Sequence, residues 1–332
     1  MSVLEDPGLV PISDIERTRV EWHWKGWLPV GKLVILDGDP GVGKTTICCD
    51  LAARLTKGVM PSGDPCSPVS VIFLSSEDSP GDTLRPRLEA AGGDLSKVRV
   101  LNPNSSLPSF PSKTSWLEEQ IVDSDAGLVV VDPLTGFLGS NIDSHRDQDV
   151  RNVLNPLAGL AEKHSATIIG VRHLRKSSGS AIQRGGGSIG FTAAARMVWL
   201  AGRDHNTNGL VLAQVKNNLS KHPRSLCYEI AEHDDTSKIR WGEESSITAD
   251  ALCADNNTVH SALSDAEDFL KEFLANGLVP SKELEEAAKE EGIAEKTLKR
   301  ARKNLKIKTF KEGTNWFCEL PKEVGQLGHV FS

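Results

Sequence analysis

The sequence predicts a mostly parallel, doubly wound α/β domain followed by a small unit of helices and a hairpin. Three observations carry this expectation. Seven short runs rich in Val, Ile and Leu lie at 33–36, 69–75, 98–101, 127–132, 166–172, 197–201 and 210–215. Most are continuous apolar blocks rather than in/out alternations, as strands buried on both faces of a parallel sheet must be. Helix-length segments at 45–55, 82–91, 115–123 and 147–164 separate the earlier runs, so strand and helix alternate. The last runs, within 197–241, have no helix between them and read as antiparallel hairpins at the sheet edge.

From 243 to about 264 the chain turns rich in Ser, Asp and Asn and reads as a linker. Beyond it come helical patterns at 265–275, 281–291 and 294–304, then a hairpin from 306–311 and 316–320. Three helices and a hairpin in this order are the pattern of a winged helix-turn-helix. The expected organisation is an arm at 1–29, the α/β core at 30–242, a linker at 243–263, the winged unit at 264–322 and a tail at 323–332.

Composition narrows the class. The 332 residues are 39% hydrophobic and 25% charged, a globular profile. No apolar run approaches the ~18 residues of a bilayer span. The first twenty residues carry Glu, Asp and Pro where a secretory signal needs a basic start and an apolar core. A cytoplasmic protein without membrane contact is expected. The net charge of −7 excludes a uniformly basic surface, so any nucleic acid must be held by local basic elements. Cysteines at 48, 49, 66, 227, 253 and 318 form no metal-binding spacing and read as reduced thiols.

The strongest chemical signal is Gly38-Asp39-Pro40-Gly41-Val42-Gly43-Lys44-Thr45, which fills every fixed position of G-x-x-x-x-G-K-[ST] between a strand and a helix. Glycines let successive N–H groups face phosphates, and the helix start adds positive potential. The segment from Gly38 to Thr46 is therefore the expected ATP cradle, with Lys44 on the β/γ-phosphates and Thr45 on Mg²⁺. The run 128–132 ends in Asp132, a carboxylate delivered by an apolar strand to the same sheet edge and suited to Mg²⁺. Another strand ends in Glu77 and Asp78. Glu77, the first acid past the strand, is the candidate for activating water; Asp78 is the candidate cap of the next helix. That strand is expected beside the phosphate-loop strand.

Together these residues resemble the RecA-like ring ATPases, in particular the RepA-like branch of plasmid and phage helicases. In that branch the strand-end Glu precedes the Walker B Asp, as Glu77 precedes Asp132 here. The resemblance extends over 20–242 and includes the lead-in 27–32, the segment 82–92, His173-Leu174-Arg175-Lys176 and Val215-Lys216-Asn217-Asn218. It implies that His173 senses the γ-phosphate and that Lys216 reaches a neighbouring subunit's nucleotide in a homohexameric ring. The related DnaB pattern is Lys-x-Arg; this chain has Lys216-Asn217-Asn218, which leaves Arg184 and Arg196 as alternative trans-acting cations.

Two loops are expected to meet single-stranded DNA. The segment 174–187 carries Arg175, Lys176 and Arg184 among Ser and Gly, and 135–147 follows Asp132. Phe137, in the second, reads first as a packing residue, with stacking on a base the alternative. Residues 296–311 contain eight cations and no acid. In the third helix of the winged unit Leu298, Ala301 and Leu305 share one face, leaving Lys299, Arg300, Arg302 and Lys303 for DNA or, alternatively, for a docked primase or other replication protein. Trp22, Trp24 and Trp27 cluster before the first core strand and suit core packing or a subunit-contact arm, with adenine stacking the alternative.

Overall fold

The computed structural model describes residues 8–144, 146–174, 190–204, 207–254, 262–274, 279–312 and 315–320. Two compact units meet between Cys253 and Ala254. The first contains β1 (Trp22–Trp24), β2 (Leu28–Pro29), β3 (Leu33–Gly38), α1 (Lys44–Lys57), β4 (Ser70–Ser75), α2 (Arg85–Ala90), β5 (Val98–Val100), α3 (Thr114–Ser124) and β6 (Ala126–Asp132). It continues through α4 (Asp147–Lys163), β7 (Thr167–His173), α5 (Gly190–Ala194), β8 (Met197–Arg203), β9 (Leu210–Asn217), β10 (Ser225–His233), β11 (Thr236–Ser245) and α6 (Ala249–Ala254).

Nine of these strands form one sheet in the order β11-β10-β9-β8-β3-β7-β6-β4-β5. Strands β8, β3, β7, β6, β4 and β5 run parallel. The remaining three join antiparallel at one side, as the missing helices foretell. Because side chains alternate along a strand, β3 feeds two cores. Val34 and Leu36 pack with Ile47 and Leu51 of α1 on one face. Leu33 and Ile35 pack with Leu117 of α3 and Val153 and Leu157 of α4 on the other. Helix α4 buries Val150, Val153, Leu154 and Leu157, the spacing of one helical face.

Two expectations are corrected. The strand leading to Glu77 is β4, which pairs with β5 and β6; the neighbours of β3 are β7 and β8. Crossover connections let the later strands β6 and β7 insert between β3 and β4, so order in sequence does not set adjacency in the sheet. Nor is 243–263 wholly linker. Strand β11 runs to Ser245, and α6 packs Ala249, Leu252 and Cys253 onto Leu200, Val211 and Ala213.

Trp24 and Trp27 are buried and stacked at 5.2 Å, with Trp241 and Trp199 edge-on to them, so core packing is their role. Phe137 is likewise buried. None of the six cysteines is in a disulfide. No helix among the described residues is long and apolar enough to cross a membrane.

The second unit holds α7 (Ala262–Phe273), α8 (Ser281–Glu290) and α9 (Glu295–Asn304), with β12 (Val279–Pro280), β13 (Lys308–Glu312) and β14 (Asn315–Glu319). Its strands form an antiparallel sheet in the order β12-β14-β13. Ala266, Leu270, Leu284, Leu298, Ala301 and Cys318 form its own core.

Candidate active site

Strand β3 is buried along its whole length and ends at Gly38, where the chain turns into the loop that opens α1. Glycine is required at two points. A Cβ at Gly38 would lie 2.6 Å from the Ala201 carbonyl oxygen, and Gly43 adopts φ +80° with Ile230 filling the space beside it. Lys44 is buried, and its Nζ donates to the carbonyls of Gly38 (2.8 Å) and Asp39 (2.9 Å). Burial lowers the Lys44 pKa, opposed by the carboxylates of Asp132, Asp39, Asp37 and Glu77. The amine is thus held against the backbone of the phosphate loop, with acids nearby that oppose the effect of burial.

Thr45, in the first turn of α1, donates its hydroxyl to Asp132 Oδ2 at 2.6 Å. The expected metal residues are therefore in contact, although 87 residues separate them in sequence. Burial pushes the Asp132 carboxyl up to about 6; the Thr45 hydrogen bond and Lys44 pull the other way, while Asp78 and Glu77 add to the rise. One hydroxyl and one carboxylate are hard oxygen donors and leave room for phosphate and water, which fits Mg²⁺.

In β4, Ser75 lies in register with Asp132, so Glu77 emerges beyond the same edge. In β7, His173 is in register with Gly38. The two meet, with His173 Nε2 3.6 Å from Glu77 Oε2 and both side chains largely exposed. Asp78 is no helix cap: its carboxylate pairs with Arg87 at 3.0 Å, and the residue entering the next turn is Ser79.

Lys216 is placed otherwise than a free trans-acting cation. Its Nζ donates to the carbonyls of Thr192 (2.8 Å), Ala193 (3.2 Å) and Ala195 (2.8 Å), closing the end of α5. Burial, then the nearby Arg196 and Arg151, lower its pKa. Arg196 is exposed. Arg175, Lys176 and Arg184 lie outside the described residues, as does His145 of the other candidate loop.

In the second unit Leu298 and Ala301 are buried as expected, and Lys299, Arg300 and Lys303 are exposed. Arg302 is the exception. It turns inward to Glu285 of α8 at 3.2 Å, so the basic face is narrower than the sequence implied. The acid it finds comes from the preceding helix, beyond the window that looked purely basic. Lys299 pairs with Glu295 one turn earlier at 2.7 Å, an exposed pair of little energetic weight.

Two features at the site escaped sequence reading. Asp37 and Arg172, adjacent in register on β3 and β7, form a buried two-pronged ion pair at 2.8 and 2.7 Å. The Arg172 guanidinium lies 4.5 Å over the Phe191 ring of α5. The pair stands one residue before both Gly38 and His173. Desolvation raises the Asp37 pKa while Arg172 opposes it. The second feature is a roof formed by the hairpin β10–β11. Tyr228 donates its hydroxyl to the Val42 carbonyl at 2.6 Å, Ile230 abuts Gly43, and Trp241 Nε1 donates to Asp50 Oδ2 of α1 at 2.7 Å.

Known proteins resemble this chain over its first unit. A family model described as an AAA domain matches residues 10–179, more than half of the chain. The chain is 26% identical over 220 residues to the DNA repair protein RadA of Bacillus subtilis (strain 168), covering 66% of this chain and 43% of that protein. It is 24% identical over 169 residues to the DNA repair protein RadA of Streptococcus pneumoniae (strain ATCC BAA-255 / R6), covering 49% and 36%. The chain therefore spans less than half the length of these relatives. A solved KaiC-like protein, PH0186 of Pyrococcus horikoshii OT3, is 17% identical with a TM-score of 0.46, over 64% of this chain and 90% of that one. A complete phosphate loop ahead of a strand-end carboxylate, on a mostly parallel sheet and within a matched family model, has one meaning: the chain belongs to the AAA domain family and carries a RecA-like P-loop ATPase core.

Proposed function

We propose that the protein is an Mg²⁺-dependent ATPase that assembles as a homohexameric ring and couples hydrolysis to movement on single-stranded DNA, as a replicative helicase of a plasmid, phage or integrated element. The observation that carries this reading is the meeting of Glu77 and His173 across the edge that also presents Lys44, Thr45 and Asp132. A water-activating acid beside the residue that precedes the basic segment 174–187 can tie phosphate state to a polymer.

Lys44 and the backbone N–H groups of 38–46 bind and orient the phosphates. Thr45 and Asp132 hold Mg²⁺, which when bound offsets charge on the phosphate oxygens. Glu77 accepts the proton of the attacking water. His173, sharing a contact with Glu77, reads whether the γ-phosphate is present. The cations Arg175, Lys176 and Arg184 meet single-stranded DNA, and Lys299, Arg300 and Lys303 meet DNA through the carboxy-terminal unit, read as a winged helix. Lys216 reaches a neighbouring subunit's nucleotide only if it leaves the three carbonyls of α5, so its trans role entails movement of that helix end.

ATP-dependent strand displacement that vanishes in Lys44→Ala tests the proposal. A second reading, a DNA-binding ATPase that loads or regulates other proteins without unwinding, is favoured by the names of the RadA relatives, which are of repair. DNA-stimulated hydrolysis without displacement would select it. Hydrolysis indifferent to DNA would instead select a nucleotide-dependent scaffold whose carboxy-terminal unit docks a primase.

A further inference from the structure

Among the described residues, the exposed aromatic side chains are Phe310 (37% exposed) and Trp316 (53%), and both lie on the β13–β14 hairpin. Every other described tryptophan is at least partly buried. A large indole left in water costs apolar hydration, and the described residues of this unit expose no large aliphatic side chain beside it. A protein-docking patch would normally gather such aliphatics around its anchor.

The indole's cross-strand neighbour is a cation. Trp316 is paired in register with Lys311, so the two share one face of the hairpin. Thr309, the buried Cys318 and Val279 of β12 lie on that face, and none of them is acidic. Phe310 is paired with Phe317 on the other face, where Lys308 and Glu319 also fall by alternation. Arg300, Lys303 and Lys306 are exposed in the segment that leads into the hairpin.

We infer that the Trp316 face of this hairpin is a binding site for single-stranded nucleic acid, with one base stacked on the indole and the adjoining phosphate on Lys311. A base offers a flat π-face only when it is unstacked, so the site discriminates against duplex. The inference rests on the proposed role of the carboxy-terminal unit in nucleic-acid binding. It moves the decisive contact from α9, where Arg302 is turned inward, to the strand pair that follows.

The test uses the full chain with a fluorescently labelled dT oligonucleotide, its abasic counterpart of equal phosphate count, and a duplex, read by anisotropy. Wild type is expected to prefer the dT strand over the abasic strand. Trp316→Ala should weaken dT binding about five- to twentyfold, in keeping with the loss of one stacked base, and leave abasic binding within about twofold. Trp316→Phe should restore most of the loss. Basal ATP hydrolysis without DNA should stay unchanged in both variants and reports that the chain is folded. Equal dT affinity in wild type and Trp316→Ala would overturn the inference, as would equal losses on the dT and abasic strands. If, in addition, a combined Lys299→Ala, Arg300→Ala and Lys303→Ala variant weakened binding, the nucleic-acid reading of the unit would survive while the hairpin site fell. No effect of either set would remove both.

Discussion

Asp132 and Glu77 end neighbouring strands yet meet different surroundings, and their predicted behaviour differs accordingly. Asp132 is buried and raised from 3.8 to about 6, so the folded chain holds its proton more tightly than the unfolded chain does. The stability this group contributes is fully present below about pH 4 and is lost as pH rises through about 6. Metal binding has the opposite sign, because Mg²⁺ needs the carboxylate. Affinity for Mg-ATP is expected to fall as pH drops below about 6, while metal-free ATP shows no such limb. Titrations of both from pH 5 to 8 check this, and Asp132→Asn should abolish the difference. Glu77 is largely exposed and faces His173, so Glu77→Gln should keep nucleotide affinity within a few-fold and lower kcat by about a hundredfold or more. An unchanged kcat would assign the base elsewhere. Tyr228→Phe removes one buried hydrogen bond to the phosphate loop, worth about 1 kcal/mol. A several-fold rise in KM for ATP with kcat nearly constant is the expected outcome, measured by steady-state phosphate release. The first two residues were legible because each ends an apolar strand near a loop with a complete motif. Tyr228 was not, since a tyrosine within a β-rich run has no pattern that reveals what lies above it.

Among the elements, β3 and β6 were readable as strands because unbroken Val/Ile/Leu runs admit few alternatives at that length. Their neighbours were not readable, since a crossover can return to several positions in a parallel sheet; hence β4 lies farther from β3 than expected. Helix α6 was hidden by its shortness, six residues inside a Ser-, Asp- and Asn-rich segment, with only Ala249, Leu252 and Cys253 marking its inner face. The Asp37–Arg172 pair was equally silent, because each member is a single charge in an apolar strand 135 residues from the other. Its energetics are testable. Arg172→Met strands the Asp37 carboxylate in the core and should cost about 3–5 kcal/mol in urea unfolding. Adding Asp37→Leu should return most of that loss, since a well-packed apolar pair can replace a buried ion pair. If the double variant is no more stable than the single one, Arg172 supports the sheet through Phe191 rather than through Asp37.

For the molecule as a whole, the net charge of −7 coexists with a basic segment near the carboxy terminus. That contrast predicts that the combined Lys299, Arg300 and Lys303 to Ala variant lowers DNA affinity and flattens its salt dependence by up to about three phosphate contacts. The proposed ring assembly yields a second prediction. Mixing Lys216→Ala with Glu77→Gln subunits should recover some hydrolysis at mixed interfaces if Lys216 acts in trans. The absence of any recovery would leave it as the residue that closes α5.

The roof over the phosphate loop bears on where this enzyme can be cut. The matched family stretch stops at residue 179, whereas Tyr228, Ile230 and Trp241 follow it by dozens of residues and brace Val42, Gly43 and α1. A truncation at that border would keep Lys44, Thr45, Glu77, Asp132 and His173 and still discard the brace, and is expected to weaken ATP binding. Grafting or shortening the domain must therefore carry the late antiparallel strands along, as far as Ser245.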